Sequence, residues 1–200
     1  MTRIVLASTS AYRRELLARL GIAFDVVDPA VDETPLPGED PAALVARLAR
    51  AKARSGARDA HGALVIGSDQ VAVLDGEILG KPGDADTNRR QLERAAGRRV
   101  QFLTGVCLLA STSGREQVEV VPFAVYFRAL SREQIAAYVD RERAFDCAGG
   151  FRCEGLGIAL FERMEGDDPS ALIGLPLQRL TRMLEKEGVD VLLQTRAADA

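Results

Sequence analysis

The stretch Ala63-Leu-Val-Ile-Gly-Ser-Asp-Gln70 decides how this chain is read. Leu64, Val65 and Ile66 form an unbroken apolar run, whereas a strand with one wet face would alternate. The run is therefore expected to be a strand buried on both faces of a sheet. It stops on Gly67-Ser68 and then presents Asp69. In open α/β sheets ligands gather beyond the carboxyl ends of strands, which suits an acid there for a metal ion or a water nucleophile. Asp and Ser are also ordinary turn residues, so a turn cap explains this stretch equally well when it is taken alone.

The 200-residue chain is 47% hydrophobic and 28% charged, which describes one globular domain with a proper core, expected over 1–194 with a frayed tail at 195–200. Its net charge of −3 lacks the basic excess of a binder of nucleic-acid polymers or anionic membranes. No run approaches the roughly 20 apolar residues of a membrane span. The N-terminal M-T-R-I-V-L-A-S is too short in apolar residues for a signal peptide, and a cytoplasmic location is expected. Three cysteines, an odd number, fit reduced thiols better than a disulfide framework. Cys147 and Cys153 lack zinc-type spacing.

On the N-terminal side, Arg3 to Ala7 reads as a first buried strand. Ser8-Thr9-Ser10 then offers hydroxyls and backbone N–H groups before a helix expected from Ala11 to Leu20 and ended by Gly21, a plausible cradle for phosphate. Arg13 and Arg14 fall in its first turn, where the dipole disfavours cations, so their presence points either to function or to two solvated side chains. Phe24 to Asp28 is expected as a second strand. The proline-punctuated loop from Pro29 to Pro37 carries Asp32 and Glu33, candidates to join Asp69 around a cation or simply exposed acids. Asp40 caps the next helix, Pro41 opens it, Leu44, Val45 and Leu48 face inward, and Lys52 is expected near its C-terminal end.

On the C-terminal side, Val71 to Leu74, Asp75-Gly76 and Glu77 to Leu79 read as a hairpin. The segment G-E-I-L-G-K-P is one residue short of a P-loop and has proline where Ser or Thr belongs, so that motif is rejected and Lys81 is kept as a phosphate contact. Asp86 to Ala95 is expected as a helix, and Val100 to Ala110 with Gln117 to Phe127 as an antiparallel pair. Ser131-Arg-Glu-Gln134 reads as a capping box opening a helix through Asp140. The glycine-rich stretch 146–157, with Glu154 inside it, is expected as a loop and lacks the third glycine of a dinucleotide fingerprint. Ile158 to Phe161 is expected as the last strand, and Gly174-Leu175-Pro176 as the opening of a final helix to Glu187.

The lone His61 sits in a connector, too remote for a Ser-His-Asp or Cys-His system. What remains is carboxylates with lysines and arginines near strand and helix ends, a set suited to metal-assisted attack on a phosphate. Asp69 would accept or direct the proton, and Arg13, Lys52 and Lys81 would offset phosphate charge.

Taken in order, L-A-S-T-S leading to Arg13, Asp32-Glu33, the A-x-x-K-A pattern around Lys52, Gly67-Ser68-Asp69, Gly80-Lys81-Pro82, Thr104-Gly105 and Gly174-Leu175-Pro176 together resemble the Maf family of nucleoside triphosphate pyrophosphatases. The resemblance spans almost the whole chain. It implies an α/β fold with a mixed twisted sheet and flanking helices, similar to the inosine-triphosphate pyrophosphatases. It also implies a divalent cation (magnesium, manganese or cobalt) and hydrolysis of a small-molecule nucleoside triphosphate to monophosphate and pyrophosphate. By the same likeness Asp69 is the proton acceptor and Glu33, Lys52 and Lys81 complete the catalytic set. Asp69 and Glu33 hold the metal, and Ser8 and Arg13 touch the substrate.

Three positions depart from the commonest family pattern: Tyr12 in Ser10-Ala-Tyr-Arg13, Gln70 in Ser68-Asp-Gln70, and Glu154 in place of Gln. They look like the family's base-selecting residues, and the combination resembles the branch acting on 7-methyl-GTP as opposed to the dTTP and UTP branch. The chemistry agrees with this. N7-methylation makes guanine cationic, and an aromatic face such as Tyr12 attracts a cation by roughly 0.5–2 kcal/mol. A carboxylate such as Glu154 can accept from the paired N–H donors of the guanine edge. A nucleotide-binding regulator of cell division and septum formation is the alternative from another class, and a homodimer is compatible with either.

Overall fold

The structure, a computed structural model, describes residues 2–194, so the fraying expected at 195–200 lies outside it. One sheet of seven strands runs in the order β2-β1-β3-β5-β6-β7, with β4 paired to β3. Strands β1 (Arg3–Ala7), β2 (Asp25–Val27) and the first part of β3 (Ala63–Leu74) are parallel. Strands β4 (Glu77–Leu79), β5 (Arg99–Ala110), β6 (Arg115–Phe127) and β7 (Phe161–Glu165) join antiparallel. The expected α/β class, the hairpin at Asp75-Gly76 and the long antiparallel pair are all present.

Helices cover both faces. On one side α2 (Pro41–Ala57) buries Leu44, Val45, Leu48, Ala49 and Ala53 against odd-numbered residues of β1 and β3, such as Val5 and Val65. On the other side α1 (Ala11–Ala18) and α6 (Leu177–Lys186) cover even-numbered ones, Ile4, Leu6, Leu64 and Ile66. Further along that side, α3 (Ala85–Ala95) and α4 (Arg132–Glu142) pack over Phe102, Phe123 and Phe127. Burial of both faces of β3 follows from its unbroken apolar run. Asp40 and Ser131 cap α2 and α4 as the sequence predicts, Ser131 with Gln134 in a full capping box.

Several expectations are corrected. The central strand does not end at Gly67: it continues to Leu74, and Asp69 pairs with Gly105 in its interior. Gly67 is there for close approach, not for a turn. A Cβ on Gly67 would collide with the backbone of Ala49 and Ala53, and one on Gly105 with the backbone of Val45, so both glycines let α2 lie directly on the sheet. Lys52 accordingly stands on the buried face of α2, well inside the helix. Helix α1 ends at Ala18, two residues short of Leu20.

The segment expected as a strand at Ile158 to Phe161 is a 3-10 turn over Leu156–Leu160, with β7 following. Gly157 and Leu160 are its buried positions, a spacing of three that suits such a turn, while Ile158 is exposed. The glycine-rich loop also holds a short 3-10 turn at Ala148–Gly150. A helix absent from the sequence reading, α5 (Pro169–Ile173), is capped by Asp168. Gly174 ends α5 and so lies outside the final helix, which begins at Leu177. Asp168-Pro169 repeats the Asp40-Pro41 signature that correctly marked α2, so the signal was present.

Helix α2 also anchors the loop from Pro29 to Glu39. Arg47 donates to Glu39 Oε1 at 2.6 Å, to Glu39 Oε2 at 2.7 Å and to the Thr34 carbonyl at 3.2 Å, and the Ser55 hydroxyl donates to the Pro29 carbonyl. Hydrogen bonds from Arg47 and from the Leu36 N–H pull Glu39 down from 4.5 to about 2.

Two outcomes follow from this packing. Gly67→Ala should lower the denaturant midpoint by the equivalent of about 1–3 kcal/mol, because helix backbone rather than a flexible side chain must move. An unchanged midpoint would contradict the close approach. Because the folded-state pKa of Glu39 lies below its unfolded value, the pair's contribution is complete above about pH 4.5 and is lost as pH falls toward 2. Glu39→Gln should therefore flatten the acid limb of the stability curve in that window, as followed by circular dichroism, and leave neutral turnover in place.

Candidate active site

The site forms where the sheet has a gap. Strand β1 ends at Ala7, opposite Gly67, and β4 does not begin pairing with β3 until Ala72. Ser68 to Val71 therefore lacks a neighbour on that side, and the chain alternation sends Asp69 toward α2 while Ser68 and Gln70 face α5. The crevice thus lies beyond the carboxyl end of β1, between strands whose crossover helices pass on opposite faces of the sheet.

On the α2 side, Lys52 Nζ lies 2.7 Å from Asp69 Oδ1 and 2.6 Å from Glu33 Oε1. Lys52 is 4% and Asp69 7% exposed, so each charge needs the other, whereas the Glu33 side chain is 55% exposed. Burial would raise the Glu33 pKa, but the Lys52 ammonium, assisted by Lys81 and Arg13, holds it below its ordinary value. Burial pulls the Arg13 guanidinium down, with Asp69 and then Glu33 acting against it. Arg13 and Lys81 are thus electrostatic neighbours of this ion-paired group.

Arg13 and Lys81 also line the cleft on the other side, together with Ser10, Tyr12, Gln70 and Glu154. The cleft is open to solvent, with a cavity volume of about 100 Å³. Ser10 caps α1, its hydroxyl accepting from the Arg13 N–H, and Arg13 Nε donates to the Gly174 carbonyl at 2.8 Å. The Ser68 hydroxyl lies 2.9 Å from the same carbonyl, so the end of α5 is tied to both α1 and β3. Gln70 donates its amide to the Ala171 carbonyl at 2.7 Å. That bond commits its nitrogen to α5 and leaves the amide oxygen as the end available to a ligand.

The remaining wall comes from residues 146–154. The Cys147 thiol meets the Tyr12 hydroxyl at 3.6 Å and Asp146 Oδ1 at 3.5 Å, and the Cys153 thiol meets Glu154 Oε2 at 3.3 Å. Burial pushes Cys147 up to about 11 and Cys153 up to about 12, so both stay protonated at neutral pH and neither is a nucleophile. Burial, with help from Cys147, pushes Tyr12 up to about 12.

Of the side chains singled out from sequence, Glu33, Lys52 and Asp69 form one bonded group, and Arg13, Tyr12, Gln70, Lys81 and Glu154 line one adjoining cleft. Ser8 is buried, and its hydroxyl oxygen accepts from the Ser10 N–H in the turn before α1. Asp32 does not join the acids: its carboxylate accepts from the Thr34 N–H at 2.9 Å. Sequence reading missed Asp146 and Arg152 as wall residues, and no local motif marks them.

Among the described residues no group of three or more His, Cys, Asp or Glu could enclose a metal ion. Two carboxylates converging on one ammonium do fit a hard, magnesium-like cation, which takes one or two carboxylates and fills its remaining positions with water and phosphate oxygens.

The chain is 54% identical over 189 residues to a protein of Nitrosococcus oceani named 7-methyl-GTP pyrophosphatase, covering 94% of this chain and 95% of that one. It is 54% identical over 192 residues to a protein of the same name from Chromohalobacter salexigens, covering 96% and 100%. Among solved structures, the Ham1 protein of Staphylococcus aureus shares the fold, with a TM-score of 0.53, 17% identity, and 93% of this chain and 100% of that one covered. Residues 3–187 match the family described as Maf-like protein, and the chain belongs to the Maf family.

Proposed function

We propose that this protein hydrolyses 7-methyl-GTP to 7-methyl-GMP and diphosphate. The observation that carries the reading is the charge layout of one continuous site. Arg13 and Lys81 are charge neighbours of the buried Asp69 or the half-exposed Glu33, and they also line the cleft that holds Tyr12 and Glu154. The relatives named for this activity supply the substrate.

In this reading the triphosphate lies along Arg13 and Lys81, with the N-terminal turn of α1 beside it. Lys52 holds the Asp69 carboxylate by Oδ1 and leaves Oδ2 to take a proton from the attacking water. The new P–O bond forms as that proton moves to Asp69, and the bridging P–O bond breaks with its electron pair leaving on diphosphate. Asp69 and Glu33 are the residues suited to hold magnesium, manganese or cobalt. When bound, the cation lowers the pKa of its water and neutralises phosphate charge. The methylated base, a cation, lies against Tyr12, and Glu154 accepts from its N–H edge. A cytoplasmic setting belongs to the same reading, and cell fractionation tests it.

Purified protein given 7-methyl-GTP, GTP, dTTP and UTP with each divalent cation should release diphosphate fastest from 7-methyl-GTP; preference for dTTP or UTP would place it in the sister branch. Asp69→Asn should slow turnover about 10²–10⁴-fold on every nucleotide. Near-wild-type hydrolysis by that variant would move the proton acceptor elsewhere. Glu154→Gln should lower the preference for the methylated base more than turnover itself.

A further inference from the structure

Among the described residues the Glu154 side chain bonds only the neighbouring thiol, yet it lines the cleft. The reason lies outside the cleft, at the end of α4. Glu142 is the last residue of that helix, and its side chain is 12% exposed. Its Oε1 accepts from Arg152 Nε at 2.9 Å and its Oε2 from the Leu156 backbone N–H at 2.8 Å. Arg152 Nη2 also donates to the Glu142 carbonyl at 3.1 Å, and the Arg152 N–H donates to the Tyr138 hydroxyl, one turn back on α4.

These bonds bracket Glu154, two residues before it and two after. Gly155 allows the bracket to close, because a Cβ there would stand 2.6 Å from Glu142 Oε1. On the N-terminal side Phe151 fixes the same segment through edge-on contacts with Phe102, Phe127 and Phe161 at 5.4, 5.7 and 4.7 Å between ring centroids. One carboxylate thus serves both strands of a small loop whose tip is the base-reading acid. Burial would lower the Arg152 pKa, but Tyr12 and Glu142 hold it above its ordinary value.

We propose that Glu142 is a positioning residue for base selection: by clamping Arg152 and Leu156 it holds Glu154 at the guanine edge while taking no part in phosphate chemistry. This rests on the reading of the cleft as the nucleotide site. Glu142 makes no contact with Glu33, Lys52 or Asp69 among the described residues, so selectivity and turnover separate in its variants.

The test is steady-state kinetics of Glu142→Ala and Glu142→Gln on 7-methyl-GTP and dTTP, with amide hydrogen exchange followed at residues 152–157. Glu142→Ala should reduce the 7-methyl-GTP to dTTP ratio of kcat/KM by about 10- to 100-fold, the worth of a charge-assisted hydrogen bond. The change should fall on KM, with kcat within about threefold. Leu156 should exchange faster while the protection of β3 and β5 is kept. Glu142→Gln keeps one acceptor and should fall between the two. An unchanged ratio in either folded variant, or an equal loss on both nucleotides, overturns the proposal. If Glu142→Ala does not fold, the isosteric Gln variant decides alone. Wild-type protein that prefers dTTP sinks the substrate reading and with it the guanine edge as the target of Glu154, whereas a wild type that prefers 7-methyl-GTP with an unchanged ratio in the Glu142 variants overturns this proposal alone.

Discussion

Everything in the site depends on how closely α2 lies against the sheet. Gly67 in β3 and Gly105 in the adjacent β5 present no side chain to the helix, and its backbone settles where Cβ atoms would stand elsewhere. At that distance Lys52 cannot reach water and must find its counter-charge within the protein. Asp69 supplies it from the sheet and Glu33 from the loop above. A buried ammonium between two carboxylates is a poor source of net stability, since desolvation consumes most of the Coulombic gain. Its value is geometric, because it fixes two acids that repel each other at one spot and leaves their outer oxygens unspent.

The gap in the sheet gives that spot its access. Where β1 has ended and β4 has not begun, β3 runs on with one side open, and its alternation becomes a division of labour. Odd positions carry the buried acid toward α2, whereas even positions carry Ser68 and Gln70 toward α5 and bind its carbonyls. The same few residues therefore anchor both walls of the crevice. Arg13 crosses between them, bonded to the Gly174 carbonyl and sensing the charges of Asp69 and Glu33.

The two ends of the site are built differently. Asp69 rests on a strand and its partner Lys52 on a helix, the most rigid supports available, and the Glu33 loop is drawn to α2 by Lys52, Arg47 and Ser55. The other wall of the cleft is a glycine-rich segment with little regular structure, fixed by Phe151 inside the core and by Glu142 at its neck. Such a wall can change its side chains without disturbing the ion-paired centre.

Much of this was legible in the residues themselves. An unbroken apolar run forced a strand buried on both sides, Asp40-Pro41 and Ser131 to Gln134 set helix starts, and Asp75-Gly76 set a hairpin, since each depends on local dihedral preferences and nearby hydrogen bonds. The ordered set from Ser8 to Pro176 pointed to the family, whose match to residues 3–187 bears it out. Local signals misread Gly67 as a stop because a glycine in a turn and a glycine beneath a helix look alike until the helix is in place. For the same reason Asp32 could not be separated from Glu33, although one turns back on Thr34 and the other meets Lys52. Sequence by itself determined most of the elements and the chemical kit. Only the tertiary structure decided which acids share an ammonium, that the crevice opens at the end of β1, and that Glu142 braces a loop ten residues away, because these depend on packing between segments that have no local influence on each other.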